Sequence, residues 1–392
     1  MTCAAPERLH ALDAVRSTAL LLGIVLHATM SFFPDPAWIV VDEERSAAMA
    51  VTFLVIHIFR MNVFFLIAGF FARLSLHRRE VAGFALDRAR RIALPLLFSW
   101  PILYSSFEIL GRWSVHQSRT GPAPASRALG IFDFPLFHTW FLYILLLLYC
   151  GALVLRFAVV AIDREGRLLG AADAGTSFLV RSHLVVAALA IPLAAAFSLG
   201  EPWMKALGVP TPDHGLLPNV QSMVAFATAF AFGWMLHRRV DLLETWRRSW
   251  PAYLGLAIGL TLLCLVILGE YQRAAERPAQ AIRVFAATAY PLAIWTWSIS
   301  IVGFSVANLS RRSGVRRYVA DASYWIYLVH LPIVVGLQIF VSRMELPWFA
   351  KFAVIVVGAM AVSLGSYHLF VRFTFLGALL EGKRREDSVG VL

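Results

Sequence analysis

The sequence predicts an all-α polytopic membrane protein, a single bundle of about ten transmembrane helices with both termini in the cytoplasm. Three observations predict it: an apolar composition, ten apolar segments of membrane-spanning length, and loops whose arginine content alternates along the chain. Of the 392 residues, 59% are hydrophobic and only 15% are charged, whereas soluble domains are nearer half apolar and a quarter charged. We therefore attribute the formal charge of +11 to arginines at the cytoplasmic membrane surface and not to nucleic-acid binding.

Each predicted helix corresponds to an apolar segment of about 17–25 residues, the length that crosses a bilayer. In chain order these segments are 12–33, 50–71, 93–110, 138–160, 183–198, 218–236, 252–269, 284–306, 323–341 and 350–371. The fifth is the shortest and contains Pro192, so a tilted or half-buried helix remains an alternative there. The first is too long for the apolar part of a signal peptide and lacks a small-residue cleavage site, so we expect a retained helix. Without a visible repeat or long linker, the chain is predicted to form one transmembrane domain at 8–371 and a basic cytoplasmic tail at 372–392.

The loops between these segments set the predicted orientation. Loop 72–92 contains six arginines, and loops 237–251 and 307–322 contain four each. In contrast, loop 34–49 has one arginine among four carboxylates, and loop 199–217 has a single lysine. Because cytoplasmic loops carry the excess of Lys and Arg, this alternation places both termini in the cytoplasm, as in a bacterial inner-membrane protein.

Three ionisable residues lie deep in the first two predicted helices. At 1.5 Å per residue, His27 and His57 are each about 21 Å from the cytoplasmic end of their helices, and Arg60 is about 16 Å from it. His57 and Arg60 are three residues apart and so share a helix face. One intramembrane histidine can be a packing residue, but three ionisable groups at one depth indicate function. We therefore expect His27, His57 and Arg60 to form a catalytic group.

A second group of cationic residues is predicted nearer the cytoplasm. Arg16 precedes His27 by eleven residues, three turns plus about 20°, so both point the same way about 16 Å apart. Arg88 and Arg91 precede the third helix. The separation suits the pantetheine arm of acyl-CoA, with its phosphates on Arg16, Arg88 and Arg91 and its thioester near His27. A purely topological role of Arg88 and Arg91 is the alternative.

Several segments resemble those of the membrane acyltransferase family 3. "LDAVRSTALLLGIVLHA" (Leu12 to Ala28) resembles its first-helix signature, an arginine followed by a histidine eleven residues later. Arg88 and Arg91 match its arginine-x-x-arginine element, and "HTWFLYILLLLY" (His138 to Tyr149) and "SYWIYLVHLPIVV" (Ser323 to Val335) resemble its later landmarks. Within the family, "IHIFRMNVFFLIAGFF" (Ile56 to Phe71) and "HTWFL" (His138 to Leu142) look closest to the glucan-modifying subgroup. The resemblance implies an integral membrane O-acyltransferase that moves a succinyl or acetyl group from cytoplasmic acyl-CoA to a periplasmic or envelope glycan, without a permanently bound cofactor.

The resemblance also directs attention to three further residues. His138 and Trp140 begin the predicted fourth helix, and an aromatic face there could line the sugar entry, although interfacial anchoring is an equal alternative. His330 is expected at the same substrate site, or is a packing residue. Together with His138 and Trp140 it completes the predicted substrate-binding set.

The expected chemistry needs a base to remove the hydroxyl proton as the thioester is attacked. His27 fits that role, or it could be acylated transiently and carry the acyl group; Arg60 could stabilise the oxyanion. We see no serine nucleophile elbow, zinc signature or Gly-rich phosphate loop, and predict no metal site. A proton-coupled secondary transporter is the rival hypothesis, because intramembrane His and Arg also suit proton transport.

Overall fold

The computed structural model of the protein describes residues 5–34, 38–118, 130–199, 208–273 and 280–381. Within these ranges the chain forms twelve α-helices and no strand longer than an isolated bridge. In order they are α1 (Ala5–Thr29), α2 (Ala47–Arg88), α3 (Leu94–Ser118), α4 (Trp140–Ile162), α5 (Arg167–Arg181), α6 (Val185–Leu199), α7 (Val220–Arg238), α8 (Leu243–Arg273), α9 (Gln280–Asn308), α10 (Gly314–Val341), α11 (Trp348–Ser366) and α12 (Phe375–Glu381). The predicted all-α fold is confirmed.

Eight helical segments of the described chain are long and apolar enough to cross a membrane, or nine when one bent pair counts as a span. One segment, Ala47–Gln117, has 71 residues, which at 1.5 Å per residue is about 107 Å and far exceeds a bilayer. It breaks at Glu80, whose backbone has the non-helical angles φ 59° and ψ 178°. After this residue the chain folds back, as shown by the hydrogen bond of 3.2 Å that Arg88 donates to Ser75. α2 and α3 are therefore separate spans, and each of the ten predicted segments lies on a helix.

The fifth predicted segment corresponds to α6, which follows α5 after a bend of 106°. α6 has 15 residues, about 22 Å of helix and too short to cross a bilayer alone. This length agrees with the tilted or half-buried alternative.

Small residues bring two of the helices into backbone contact. A Cβ on Gly69 of α2 would lie 2.0 Å from the Phe230 carbonyl oxygen of α7, and one on Gly233 of α7 would lie 1.8 Å from the Leu66 carbonyl oxygen of α2. Without a side chain at these positions, the two helices can approach as closely as small-residue membrane interfaces require. We call this contact the α2–α7 seam.

Three helices and one loop position the residues described below. α1 packs against both α2 and α10. The loop before α4 pairs with the loop before α7, where the Leu136 amide donates to Asp213 and the Gly215 amide donates to Phe134, both at 2.8 Å. This pairing holds the short 3₁₀ turn Phe137–Thr139 against α10.

The beginning of the predicted tail also packs on the bundle. α12 contacts the π-helical turn Ala89–Ala93 that joins α2 to α3, and its Leu380 reaches the hydrophobic core. Residues 382–392 lie outside the described ranges. The cytoplasmic location of both termini stays a prediction from the charge pattern.

Candidate active site

Three histidines from distant parts of the sequence meet inside the bundle. His330 of α10 is at the centre, with its ring centre 5.4 Å from that of His27 on α1 and 5.1 Å from that of His138 before α4. His330 is 1% exposed and His138 is 6% exposed. We call these three residues the histidine cluster. The burial of His138 differs from that of an interfacial anchor, whose ring lies at the level of the lipid headgroups.

Hydrogen bonds define which nitrogen of two of these rings can accept a proton. His330 Nδ1 lies 2.7 Å from the Tyr327 carbonyl oxygen, and His138 Nε2 lies 3.2 Å from the Leu328 carbonyl oxygen. A carbonyl only accepts, so both nitrogens donate, and in the neutral rings His330 Nε2 and His138 Nδ1 carry the lone pairs.

These lone-pair nitrogens have no partner among the described residues. His330 Nε2 and His138 Nδ1 are both buried without a hydrogen bond, and one further ring nitrogen of the cluster, His27 Nδ1, is also buried without one. Buried polar atoms are normally paired, and unpaired ones require an explanation. The histidine cluster is thus equipped to accept a proton from a group that enters it.

A cation adjoins the histidine cluster. Arg60 of α2 and His330 both lie against Gly23 of α1: a Cβ on this glycine would be 2.7 Å from Arg60 Nη1 and 3.3 Å from His330 Nε2. Because Gly23 has no side chain, both the Arg60 guanidinium and the His330 imidazole can pack against α1 at this point. The structure therefore brings together His27, Arg60, His138 and His330 of the predicted site residues.

His57 and Trp140 face elsewhere. His57 Nε2 is 3.1 Å from the Val209 carbonyl oxygen, and its ring stacks on Phe53 with centres 5.2 Å apart. Trp140 is 6% exposed and stacks on Phe226 at 5.5 Å. Both line a small void of about 20 Å³ on the α7 side. Their predicted catalytic and sugar-binding roles stay predictions.

The three arginines predicted to hold a donor line one cavity. This arginine cavity, about 220 Å³ in volume, is bordered by Arg16, Arg88 and Arg91 and by the aromatic rings of Tyr149 and Tyr324. It lies near the start of α1 and α10, whereas the histidine cluster lies further along both helices. The eleven residues between Arg16 and His27 correspond to about 16 Å of helix.

A carboxylate that the sequence analysis did not single out organises these arginines. The side chain of Asp87 is 5% exposed and accepts from Arg79 and Arg88 at 2.7 Å and from Arg91 at 3.1 Å. A buried carboxylate is tolerated when such cations surround it. The signal was present in the sequence, because Asp87 precedes Arg91 by four residues and so lies on the same face of the helix.

A second basic cavity adjoins the arginine cavity. It has a volume of about 330 Å³ and shares Arg16, Ala320 and Asp321 with it. Its other walls carry the four arginines of the loop before α10 and of the first turn of α10, namely Arg311, Arg312, Arg316 and Arg317. This end of the bundle is suited to a ligand with several negative charges.

The opposite end of α1 and α10 opens into a much larger space. This wide cavity, about 1150 Å³ in volume, lies between loop 38–45, the end of α3, the end of α10 and loop 342–347. Its walls include Trp38 and the buried ion pair of Lys351 with Asp42, at 2.8 Å. Along α1 and α10, the two basic cavities therefore come first, the histidine cluster second and the wide cavity last.

Comparison with known proteins shows the family of this chain. The family model described as an acyltransferase domain (Acyl_transf_3) matches residues 9–368. This chain belongs to the acyltransferase 3 family. Membership in this membrane acyltransferase family favours acyl transfer over the transporter hypothesis.

Relatives of this acyltransferase span nearly its whole length. Glucans biosynthesis protein C of Escherichia coli O139:H28 (strain E24377A / ETEC) is 22% identical over 417 residues, covering 97% of each chain. The protein of the same name from Escherichia coli O157:H7 (strain EC4115 / EHEC) is 23% identical over 427 residues, again covering 97% of each. No solved structure matches the chain. The predicted similarity to glucan biosynthesis protein C is thereby confirmed.

Proposed function

We propose that this membrane acyltransferase transfers an acyl group, succinyl or acetyl, from cytoplasmic acyl-CoA to a hydroxyl of a periplasmic or envelope glycan. It would act in the bacterial inner membrane. The observation that carries the proposal is the position of the arginine cavity and the histidine cluster on the same two helices, α1 and α10. Arg16 and His27 are separated by about 16 Å of helix, comparable to an extended pantetheine arm.

The donor would bind with its phosphates at the basic end. Arg88 and Arg91 are held by Asp87 and line the arginine cavity together with Arg16. Guanidinium groups bind phosphate oxygens in paired hydrogen bonds. The pantetheine arm would then extend along α1 and present the thioester to the histidine cluster.

At the histidine cluster, an imidazole would act as the base. The acceptor oxygen attacks the thioester carbonyl carbon, and the hydroxyl proton passes to an imidazole nitrogen as the tetrahedral intermediate forms. Collapse of the intermediate breaks the C–S bond, and the departing thiolate takes the proton as CoA–SH. Arg60 beside His330 would stabilise the negative oxygen of the intermediate. His27 is our first candidate for the base, and a two-step route through acylated His27 remains the alternative.

The nature of the acceptor is inferred from the relatives. Their printed name, glucans biosynthesis protein C, connects them with glucans. A glycan offers many hydroxyl groups outside the cytoplasm, and the wide cavity lies at the end of the bundle away from the arginines. A succinyl group would in addition present a carboxylate that Arg60 could bind.

The proposal is tested with protein purified in lipid nanodiscs and with labelled succinyl-CoA or acetyl-CoA. We expect binding of the donor and release of CoA, and mass spectrometry should show envelope glycans that lose acyl groups when the gene is deleted. A suitable control is Arg248→Ala, because this arginine is 75% exposed and lies away from both basic cavities. Proton flux driven by a solute, with no consumption of acyl-CoA, would refute the proposal in favour of transport.

A further inference from the structure

The wide cavity ends at an aromatic ring that lies directly against the histidine cluster. Trp38 forms part of the cavity wall, and its ring is nearly parallel to that of His27, with the ring centres 6.0 Å apart and the planes inclined by 17°. A molecule entering from this end therefore meets the indole before it meets His27. Trp38 has no role in the site described so far.

A single buried amide holds both the indole and the helix end that carries His27. Gln338 of α10 is 1% exposed. Its oxygen accepts from Trp38 Nε1 at 2.9 Å, and its Nε2 donates to the His27 carbonyl oxygen at 2.9 Å. α1 ends at Thr29, so this carbonyl is one of the last four, which lack a partner within the helix. Gln338 thus fixes His27 and Trp38 relative to each other with one side chain.

The loop that carries Trp38 is anchored at several points. The amides of Asp42 and Ser46 donate to the carbonyls of Ser31 and Phe32, at 3.0 and 2.9 Å. The Asp42 carboxylate pairs with Lys351 of α11, and both side chains are at most 3% exposed. Removing one partner of a buried ion pair is strongly destabilising, so this loop is held in place. The part of the cavity wall that this loop forms is therefore held in a fixed position.

The charge of the wide cavity differs from that of the basic end. Its walls carry four carboxylates, Asp42, Glu43, Glu44 and Glu345, against three cations, Arg45, Arg343 and Lys351. Such a lining has no excess of positive charge to bind a polyphosphate, but it offers acceptors and donors for neutral hydroxyl groups. An aromatic face with polar groups around it suits a sugar ring, which has apolar C–H faces and polar edges. The volume of 1150 Å³ also exceeds what a single small ligand requires.

We propose that the wide cavity binds the carbohydrate acceptor, and that Trp38, held by Gln338, positions a sugar ring with one hydroxyl at His27. This inference rests on the proposed function, because it assigns the route of the acceptor to the site of acyl transfer. It makes Trp38 and Gln338 positioning residues. The donor and the acceptor would enter from opposite ends of α1 and meet at the histidine cluster.

Three variants test the positioning role. Trp38→Ala and Gln338→Leu should each lower glycan acylation in cells by about 10- to 100-fold, the effect of a misplacement near 1 Å. Trp38→Phe keeps an aromatic face and should retain more acylation than Trp38→Ala. All three should bind acyl-CoA as wild type does, measured as the rise in melting temperature with donor. If the variants lose donor stabilisation together with acylation, the two residues are merely structural and the proposal is wrong.

Blocking the cavity tests its role without knowledge of the natural glycan. Val41 lines the wide cavity and is 44% exposed. In a background without the native cysteines, Val41→Cys is treated in intact cells with a bulky, membrane-impermeant maleimide. Glycan acylation should fall at least 10-fold relative to the same variant before treatment. The matched control is Leu217→Cys, which is 65% exposed and lies outside this cavity, and its modification should leave acylation unchanged.

The outcomes separate the inference from the proposed function. Complete modification at Val41→Cys with unchanged acylation refutes the acceptor cavity, and so does modification only in inverted membranes. If purified wild-type protein neither binds nor consumes acyl-CoA, the proposed function itself fails, whatever the cysteine variants show.

Discussion

Gly23→Ala offers a sharp test of the contact between Arg60 and the histidine cluster. The added methyl group would lie 2.7 Å from Arg60 Nη1 and 3.3 Å from His330 Nε2. To reach ordinary contact at 3.4 Å, Nη1 must retreat by about 0.7 Å, because atoms at shorter separations repel steeply. The substitution therefore displaces the guanidinium from its position beside the histidine cluster without removing either group.

The effect on activity should be large and the effect on stability small. A misplacement of about 1 Å in an active site can reduce the rate about 100-fold, so we expect a loss of about 10- to 100-fold in acyl transfer. The group that must move is the end of a flexible side chain, and alanine is favoured over glycine inside a helix by about 0.5–1 kcal/mol. Melting temperature and the amount of inserted protein should therefore stay near wild type.

The control for Gly23→Ala is Gly255→Ala in α8, where an added Cβ meets nothing within 4 Å. This variant should keep full activity. The assay is release of CoA from acyl-CoA by purified protein, together with mass spectrometry of the envelope glycans. In a background with Arg60→Ala, Gly23→Ala should have little further effect, because the remaining contact with His330 Nε2, at 3.3 Å, is only about 0.1 Å short of ordinary contact. Near-normal turnover of Gly23→Ala, or additive losses in the double variant, would refute the reasoning.

Three further predictions concern the remaining parts of the site. His27→Gln should be nearly as inactive as His27→Ala, with the rate of acyl transfer lowered about 10²–10⁴-fold and donor binding unchanged. Near-wild-type turnover of the glutamine variant would make His27 a structural residue and His330 the candidate base. Replacing Arg88 and Arg91 together by alanine should weaken acyl-CoA binding in a calorimetric titration, with partial rescue by lysine, whereas unchanged affinity would leave them a topological role only. A reporter fused to the C-terminus should be active only if it functions in the cytoplasm, and periplasmic activity would overturn the orientation.

The sequence was sufficient to predict the features that depend on spacing within one helix. The eleven residues between Arg16 and His27 place them along α1, and Arg88 and Arg91 do line one cavity with Arg16. The all-α fold followed from ten apolar segments, and the fifth, where α5 and α6 meet at 106°, agrees with the tilted or half-buried alternative predicted for it. Helical periodicity is a local property, so it can be derived from the residues alone.

Features that depend on loops could not be derived from residue spacing, and the family resemblance alone placed His138 and His330 at one site. His138 reaches His330 because two loops pair between Leu136 and Asp213, and no spacing in the sequence indicates that contact. The three-residue spacing of His57 and Arg60 predicts one site, and this stays a prediction; His57 Nε2 lies 3.1 Å from the Val209 carbonyl oxygen on the α7 side. Residues three apart differ by about 60° around a helix axis, enough to face different neighbours. Trp38 lies in a loop and gave no periodic signal at all.

The α2–α7 seam has a consequence for how substrates can enter. Because Gly69 and Gly233 let two backbones touch, these helices cannot slide past each other without collision, and they should behave as one rigid body. We therefore expect the motions that admit substrates among the elements that line the wide cavity, which include the ends of α3 and α10 and the start of α11. An inhibitor that binds between those elements would hold the wide cavity in an open conformation. The α2–α7 seam, where the two backbones are in contact, offers no space for a ligand. Larger residues at Gly69 or Gly233 should therefore separate α2 from α7 and destabilise the fold. Substitutions around the wide cavity should instead change which molecules can enter it.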